Sequence, residues 1–194
     1  AHPFGSAYAT WILFKAAQAG HSVPSDSLQR ATAYLQRLLA SPQPGTEGQL
    51  LEPVTAAQAI MLARREAEQP GSTVTPLSFD YFDNTQRALT AFVLAEMGQP
   101  NPAANGVLFG NRATLPLFAR ALLLMTLHKT APDDLRVATL TEEILSTVNP
   151  SERSAHVKEQ LPYNLDVLFH SPVRTQSAVL MALLRVQPKN PNLL

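Results

Sequence analysis

Leu115-Pro-Leu-Phe-Ala-Arg-Ala-Leu-Leu-Leu-Met-Thr-Leu-His128 places apolar side chains around nearly the whole circumference of a helix. Such a helix must be buried on several sides. After a short break follows Pro132-Asp-Asp-Leu-Arg-Val-Ala-Thr-Leu-Thr-Glu-Glu-Ile-Leu-Ser-Thr147, in which Leu135, Val137, Leu140, Ile144 and Leu145 form a single stripe and the charged residues take the opposite face. That partner has one wet side. A buried helix followed by a one-sided helix reads as a hairpin spanning an inner and an outer layer, and this contrast decides the fold class.

The contrast recurs on both sides. Gly5 to Ala19 carries Ala7, Tyr8, Trp11, Ile12, Leu13, Phe14, Ala16 and Ala17 and reads as an inner helix, with Gly20 placed for a left-handed C-terminal cap. Ser25 to Leu39 follows with one stripe of Leu28, Ala31, Leu35, Leu38 and Leu39, while Gln29, Arg30, Gln36 and Arg37 face away. Asp83 to Met97 is a further apolar helix, followed by Gly98-Gln99-Pro100-Asn101-Pro102 and a short helix near Ala103 to Phe109. Ser171 to Val186 is the last. Blocks beginning at Ala88, Ala121 and Ala178 resemble one another, but their spacing is too uneven for a regular solenoid.

Two stretches depart from the scheme. Val54 to Glu68 is helical by content but its pattern assigns it to no particular layer, and Gly71 to Asp80, with Pro76, reads as an ordered loop. Ser154 to Phe169 is the strand candidate: Tyr163, Leu165, Val167 and Phe169 alternate with Asn164, Asp166 and a misfit Leu168, and Ser154-Ala155-His156-Val157-Lys158 is expected to pair with them as a ribbon lying on the helices.

Composition supports a helical reading and removes several functions. The chain has 194 residues, enough for one domain, and 45% are hydrophobic but only 7% aromatic. Fifteen basic and fifteen acidic residues give a formal net charge of zero, so no long-range field favours nucleic acid. The absence of cysteine excludes disulfides, thiolate metal sites, a cysteine nucleophile and an internal thioester within this chain. No apolar stretch is long enough for a membrane span. The opening at Ala1, with no initiator Met or leader, reads as a fragment of a longer protein.

Local chemistry is sparse. His2, His21, His128, His156 and His170 show no helical metal-ligand spacing, so no metal or other cofactor is expected. His21 and His128 sit at helix C-termini, where imidazole meets the negative end of the dipole. Asp133-Asp134 stands at a helix start and reads as a cap, Arg64 to Glu68 as a solvated face and Trp11 as core. There is no phosphate-cradling Gly loop, Gly-x-Ser-x-Gly elbow or His-Glu-x-x-His.

The order of segments nevertheless resembles a known family. Gly5-Ser-Ala-Tyr-Ala-Thr-Trp-Ile-Leu-Phe-Lys-Ala-Ala-Gln-Ala-Gly20, Asn84-Thr-Gln-Arg-Ala-Leu-Thr-Ala-Phe-Val-Leu-Ala-Glu-Met-Gly98 and Leu115 to Met125 are similar to successive helices of the thioester domain of bacterial alpha-2-macroglobulins. Ser154-Ala-His-Val-Lys-Glu159 and His170-Ser-Pro-Val-Arg-Thr-Gln-Ser-Ala-Val-Leu-Met-Ala-Leu-Leu-Arg-Val-Gln-Pro188 resemble that domain's ribbon and late inner helix. The resemblance omits about Ser41 to Asp80. It implies an all-α fold, a partial α/α toroid with a small β-ribbon near residues 154–169, spanning 1–194 as one domain truncated at both ends. An open arc would leave Trp11, Ile12, Leu180 and Leu184 accessible, or covered by self-association.

The resemblance implies a non-catalytic role: scaffold and covering surface in a multidomain protease inhibitor of the periplasm or outer cell envelope, which traps proteases once a bait region is cut. The Cys-x-Glu-Gln thioester motif of the family is absent here. The partners implied are other domains of the parent chain and, through the parent, target proteases, with no nucleic acid. Alternatives are a helical-repeat protein-binding scaffold and an α/α-toroid cyclase or prenyltransferase, whose Asp-rich motif only Asp133-Asp134 imitates. Within the chain, His156, Tyr163, His170, Ser171 and Arg174 collect at the ribbon and its exit, and are the candidate site for an interdomain or thioester-shielding contact. A structural reading competes: Ser171 caps a helix opened by Pro172, and Arg174 pairs with Asp166 or Glu159.

Overall fold

The computed structural model describes residues 3–40, 79–150, 155–157, 159 and 171–190, and within them helix dominates. In chain order the helices are α1 (Pro3–Gln18), α2 (Ser25–Ala40), α3 (Phe79–Glu96), α4 (Pro102–Gly110), α5 (Leu117–Thr130), α6 (Leu135–Leu145) and α7 (Pro172–Val186). A short antiparallel ribbon, β1 (Val148–Pro150) and β2 (Ala155–Val157), separates α6 from α7. Among the described residues no helix is long and apolar enough to cross a membrane.

Packing follows the two helix types. α1, α3, α5 and α7 form a row in which each packs on the next, while α2 lies against α1 and α3, α4 against α3 and α5, and α6 against α5 and α7. Successive helices thus alternate between an inner and an outer layer. α3 and α5 are at the centre, and the run from Ala121 to Leu127 in α5 is buried on every side, with Leu123 and Leu124 fully enclosed. Truncating either leucine to alanine would cost about 2–5 kcal/mol. The outer helices bury one stripe each: Thr32, Leu35 and Leu39 in α2, Val137, Leu140, Thr141 and Ile144 in α6.

Five of the buried threonines in these helices are satisfied locally. Thr10, Thr32, Thr90, Thr126 and Thr141 are buried, and each donates its hydroxyl to the carbonyl four residues earlier at 2.7–2.8 Å. Helix ends are equally explicit. Gly20 and Gly98 take φ of +85° and +77°, so that His21 N–H donates to Ala16 O and Gln99 N–H to Leu94 O, closing α1 and α3. Asn101 and Asp134 cap α4 and α6.

Four expectations are corrected. α3 begins at Phe79 rather than Asp83, because no Pro or Gly interrupts 79–97, so the end of the expected loop over Gly71 to Asp80 is helix. α1 is less enclosed than its composition implies: besides Ile12, expected to be accessible, Tyr8 and Leu13 are exposed at one end of the row, where no neighbour among the described residues covers them. Leu135 opens α6 and is exposed, since the first position of a helix projects past the layer contact. Finally, β2 pairs with β1, with His156 opposite Asn149, so its hairpin partner precedes it in the chain. The Tyr163–Phe169 segment and the Val54–Glu68 helix lie outside the described residues.

The flanks expected to be accessible are partly so. Ile12 is 46% and Leu180 47% exposed, joined by Val173 and Met181 on α7, whereas Leu184 is half-buried. Trp11 is also half-buried, because its ring meets Phe92 edge-on at 6.0 Å.

The inner helices run parallel, and their C-terminal ends converge on one carboxylate. Glu96, the last residue of α3, has a side chain only 5% exposed. Its Oε2 accepts from Lys15 Nζ of α1 at 3.2 Å, and its Oε1 from Lys129 Nζ of α5 at 3.4 Å and an Arg185 guanidinium nitrogen of α7 at 3.0 Å. Burial pushes the Glu96 carboxyl up, but the hydrogen bonds from Lys15 and Arg185 and the charges of Arg185 and Lys129 outweigh it, and the group stays below the ordinary carboxylate range. Breaking a buried ion pair costs about 3–5 kcal/mol, and the partial exposure of the three cations reduces this to about 2 kcal/mol for Glu96→Gln. Because the folded-state pKa is depressed, the stabilisation is present above the unfolded value of about 4.3 and is lost as pH falls through the folded value. Chemical denaturation of the wild-type chain and Glu96→Gln at stepped pH should show a gap at neutral pH that closes in acid; a gap independent of pH would contradict this assignment.

Candidate functional site

The ribbon and the start of α7 hold the residues singled out in the sequence. Ser171, in extended backbone, caps α7, its hydroxyl accepting from Arg174 N–H at 3.4 Å, with Pro172 in the first turn where its missing N–H costs nothing. Arg174 then projects back along the inner layer. Its guanidinium lies over the Phe118 ring of α5 at 4.2 Å and 5.6 Å from the Phe4 ring of α1. The first turns of three inner helices meet at this cation.

Glu159 completes the same end. Pro116 precedes α5 and offers no side-chain cap, so the leading N–H groups of that helix need an acceptor from elsewhere. Glu159 supplies it: its Oε1 accepts from Leu117 N–H at 2.6 Å, placing a carboxylate at the positive end of the helix dipole. The sequence reading gave Glu159 only as a partner for Arg174; its placement at α5 was not foreseen, because a cap contributed from 42 positions away leaves no local signature.

The structure therefore brings Ser171 and Arg174 together, sets β2 against α7, and leaves His156 exposed on β2. Tyr163, Asp166 and His170 lie outside the described residues. The second polar centre, Glu96 with Lys15, Lys129 and Arg185, was missed. Its signal was present: each inner helix carries a basic residue in its last turn except α3, which ends in an acid.

Among the described residues, neither centre places a nucleophile beside a general base. Asp134 does cap α6, accepting from Arg136 N–H at 2.9 Å, and also holds the Arg136 side chain. The side-chain and backbone hydrogen bonds from Arg136 keep the Asp134 carboxyl below its ordinary range, and the same contact raises the Arg136 guanidinium. This pairing leaves the Asp133-Asp134 dipeptide a helix start. Among the described residues no group of three His, Cys, Asp or Glu side chains is arranged to hold a metal ion. A shallow groove of about 470 Å³ between α1, α2 and the exit of α3 is bordered by Phe14, Leu28, Met97 and Gln99 and contains no ionisable side chain.

Stacking of a guanidinium between rings predicts that Arg174→Lys retains the charge but not the stability, since an ammonium cannot reproduce the planar contact. Arg174→Ala should cost about 1–2 kcal/mol and Arg174→Lys a similar amount. A double-mutant cycle with Phe118→Leu in urea should show coupling; full additivity would contradict the stacking account.

No protein-family model and no curated protein matches the sequence. Among solved structures the chain is similar to Salmonella alpha-2-macroglobulin reacted with methylamine, with a TM-score of 0.62 and 20% sequence identity over 99% of this chain. The match takes in 10% of that chain, so the present chain spans about a tenth of its length. At this identity the likeness is one of fold: these helices and their ribbon are arranged as in a segment of a bacterial alpha-2-macroglobulin.

Proposed function

We propose that this chain is part of the thioester domain of a bacterial alpha-2-macroglobulin-like protease inhibitor, where it serves as non-catalytic scaffold and covering surface. The observation that carries the reading is the fold likeness to Salmonella alpha-2-macroglobulin over 99% of the chain. The segment order read from the sequence resembles the same family independently of that comparison. An α/α toroid is supported by the alternation of inner and outer helices and by the convergence of α1 and α7, the two ends of the inner row, on the same Glu96 carboxylate. A helical-repeat scaffold would spread its inner helices along a groove, and this convergence argues against one. The parent would act in the cell envelope or outside the cell, against proteases that reach it there.

The chain contains no cysteine, so any acylating thioester of the parent stands outside residues 1–194. Its own contribution is then mechanical: to hold a shape against which the remainder of the parent folds round its target. The test uses the full-length parent with an endoprotease. Enclosure blocks access by size, so after the parent is cleaved, hydrolysis of a large protein substrate should fall while that of a small peptide continues. Equal inhibition of both, or of neither, would overturn the reading.

A further inference from the structure

The Glu96 centre has more cationic capacity than one carboxylate uses. Lys15 Nζ bonds Glu96 Oε2 and Gln18 Oε1, Lys129 Nζ bonds Glu96 Oε1 and the Glu96 carbonyl, and Arg185 donates from one guanidinium nitrogen. Two ammonium groups and a guanidinium together offer eleven N–H donors, of which these contacts occupy fewer than half. The three side chains remain 41%, 42% and 33% exposed, while the carboxylate beneath them is 5% exposed. Lys129 and Arg185 bind the same oxygen, so both lie within reach of a single further anion. Three positive charges surround one carboxylate, each also at the negative end of its own helix, and their partly exposed side chains keep donors that none of these contacts uses.

We propose that the C-terminal mouth of the inner row, formed by Lys15, Lys129 and Arg185 above Glu96, is a binding site for an oxyanion. The chemistry is that of a carboxylate or phosphate, whose two or more oxygens can accept from two of the three cations at once. Arg185 is held in place by its contact with the Phe92 ring at 5.7 Å as well as by Glu96, so one donor set is already oriented before an anion arrives. The anion is either a small soluble ion or an acidic side chain of a polypeptide, and the site recognises the group common to both. This inference does not depend on the protease-trap reading.

The test is a titration of the whole chain with sodium phosphate, and separately with tetraglutamate, against sodium chloride at matched ionic strength, read by calorimetry and by the shift in Tm. Saturable binding is expected, with the tighter of the two probes identifying the source. Lys129→Gln, which leaves Lys15 and Arg185 on Glu96, should weaken binding about tenfold, the loss of one charge-assisted contact. Absence of a saturable response in the wild-type chain, or binding unchanged by Lys129→Gln, would overturn the proposal.

Discussion

The buried Glu96 carboxylate is the point on which the four inner helices agree. Apolar faces rich in Leu and Ala supply most of the driving force for packing, but such faces are nearly uniform along their length and do little to define register. Charge-assisted hydrogen bonds are directional. By accepting from Lys15, Lys129 and Arg185, Glu96 fixes the axial position of α1, α5 and α7 against the end of α3. The cost of dehydrating this carboxylate is offset because three cations approach it, and those cations also sit at the negative ends of their own helices.

A second constraint secures the opposite end. Arg174 links α7 to Phe118 of α5 and Phe4 of α1, and Glu159 closes the first turn of α5 from the ribbon. With both ends tied, the inner row is held in register, and the outer helices need only cover its back. The consequence is an asymmetric surface. Charged faces of α2 and α6 are exposed in the ordinary way, whereas α1 and α7 expose Tyr8, Ile12, Leu13, Val173, Leu180 and Met181 on their flanks. The back of the molecule is therefore polar and the flanks of the row apolar.

Much of this was legible in the residues. The all-round apolar character of 115–128 against the single stripe of 132–147 separates inner from outer helices, and Gly20 marks its cap because only a residue without Cβ takes φ of +85° without strain. The ribbon's pairing was misread because alternation identifies a strand but not its partner: Val148–Pro150 is too short to show a period, and the residues just before it read as helix. The exposure of Tyr8 and Leu13 was hidden because hydrophobicity reports what a residue prefers, not whether a neighbour is present. Long-range polar contacts were the least visible. Lys15 and Glu96 are 81 positions apart, and although an acid at the end of α3 stands out, nothing local names its partners.

Hydrogen exchange tests the claim that one carboxylate joins the four inner helices. Comparing the wild-type chain with Glu96→Gln, the last turns of α1, α3, α5 and α7 should lose protection together, while the turns of α6, which the cluster does not touch, keep theirs. Loss confined to α3, with the ends of α1, α5 and α7 as protected as before, would contradict the account.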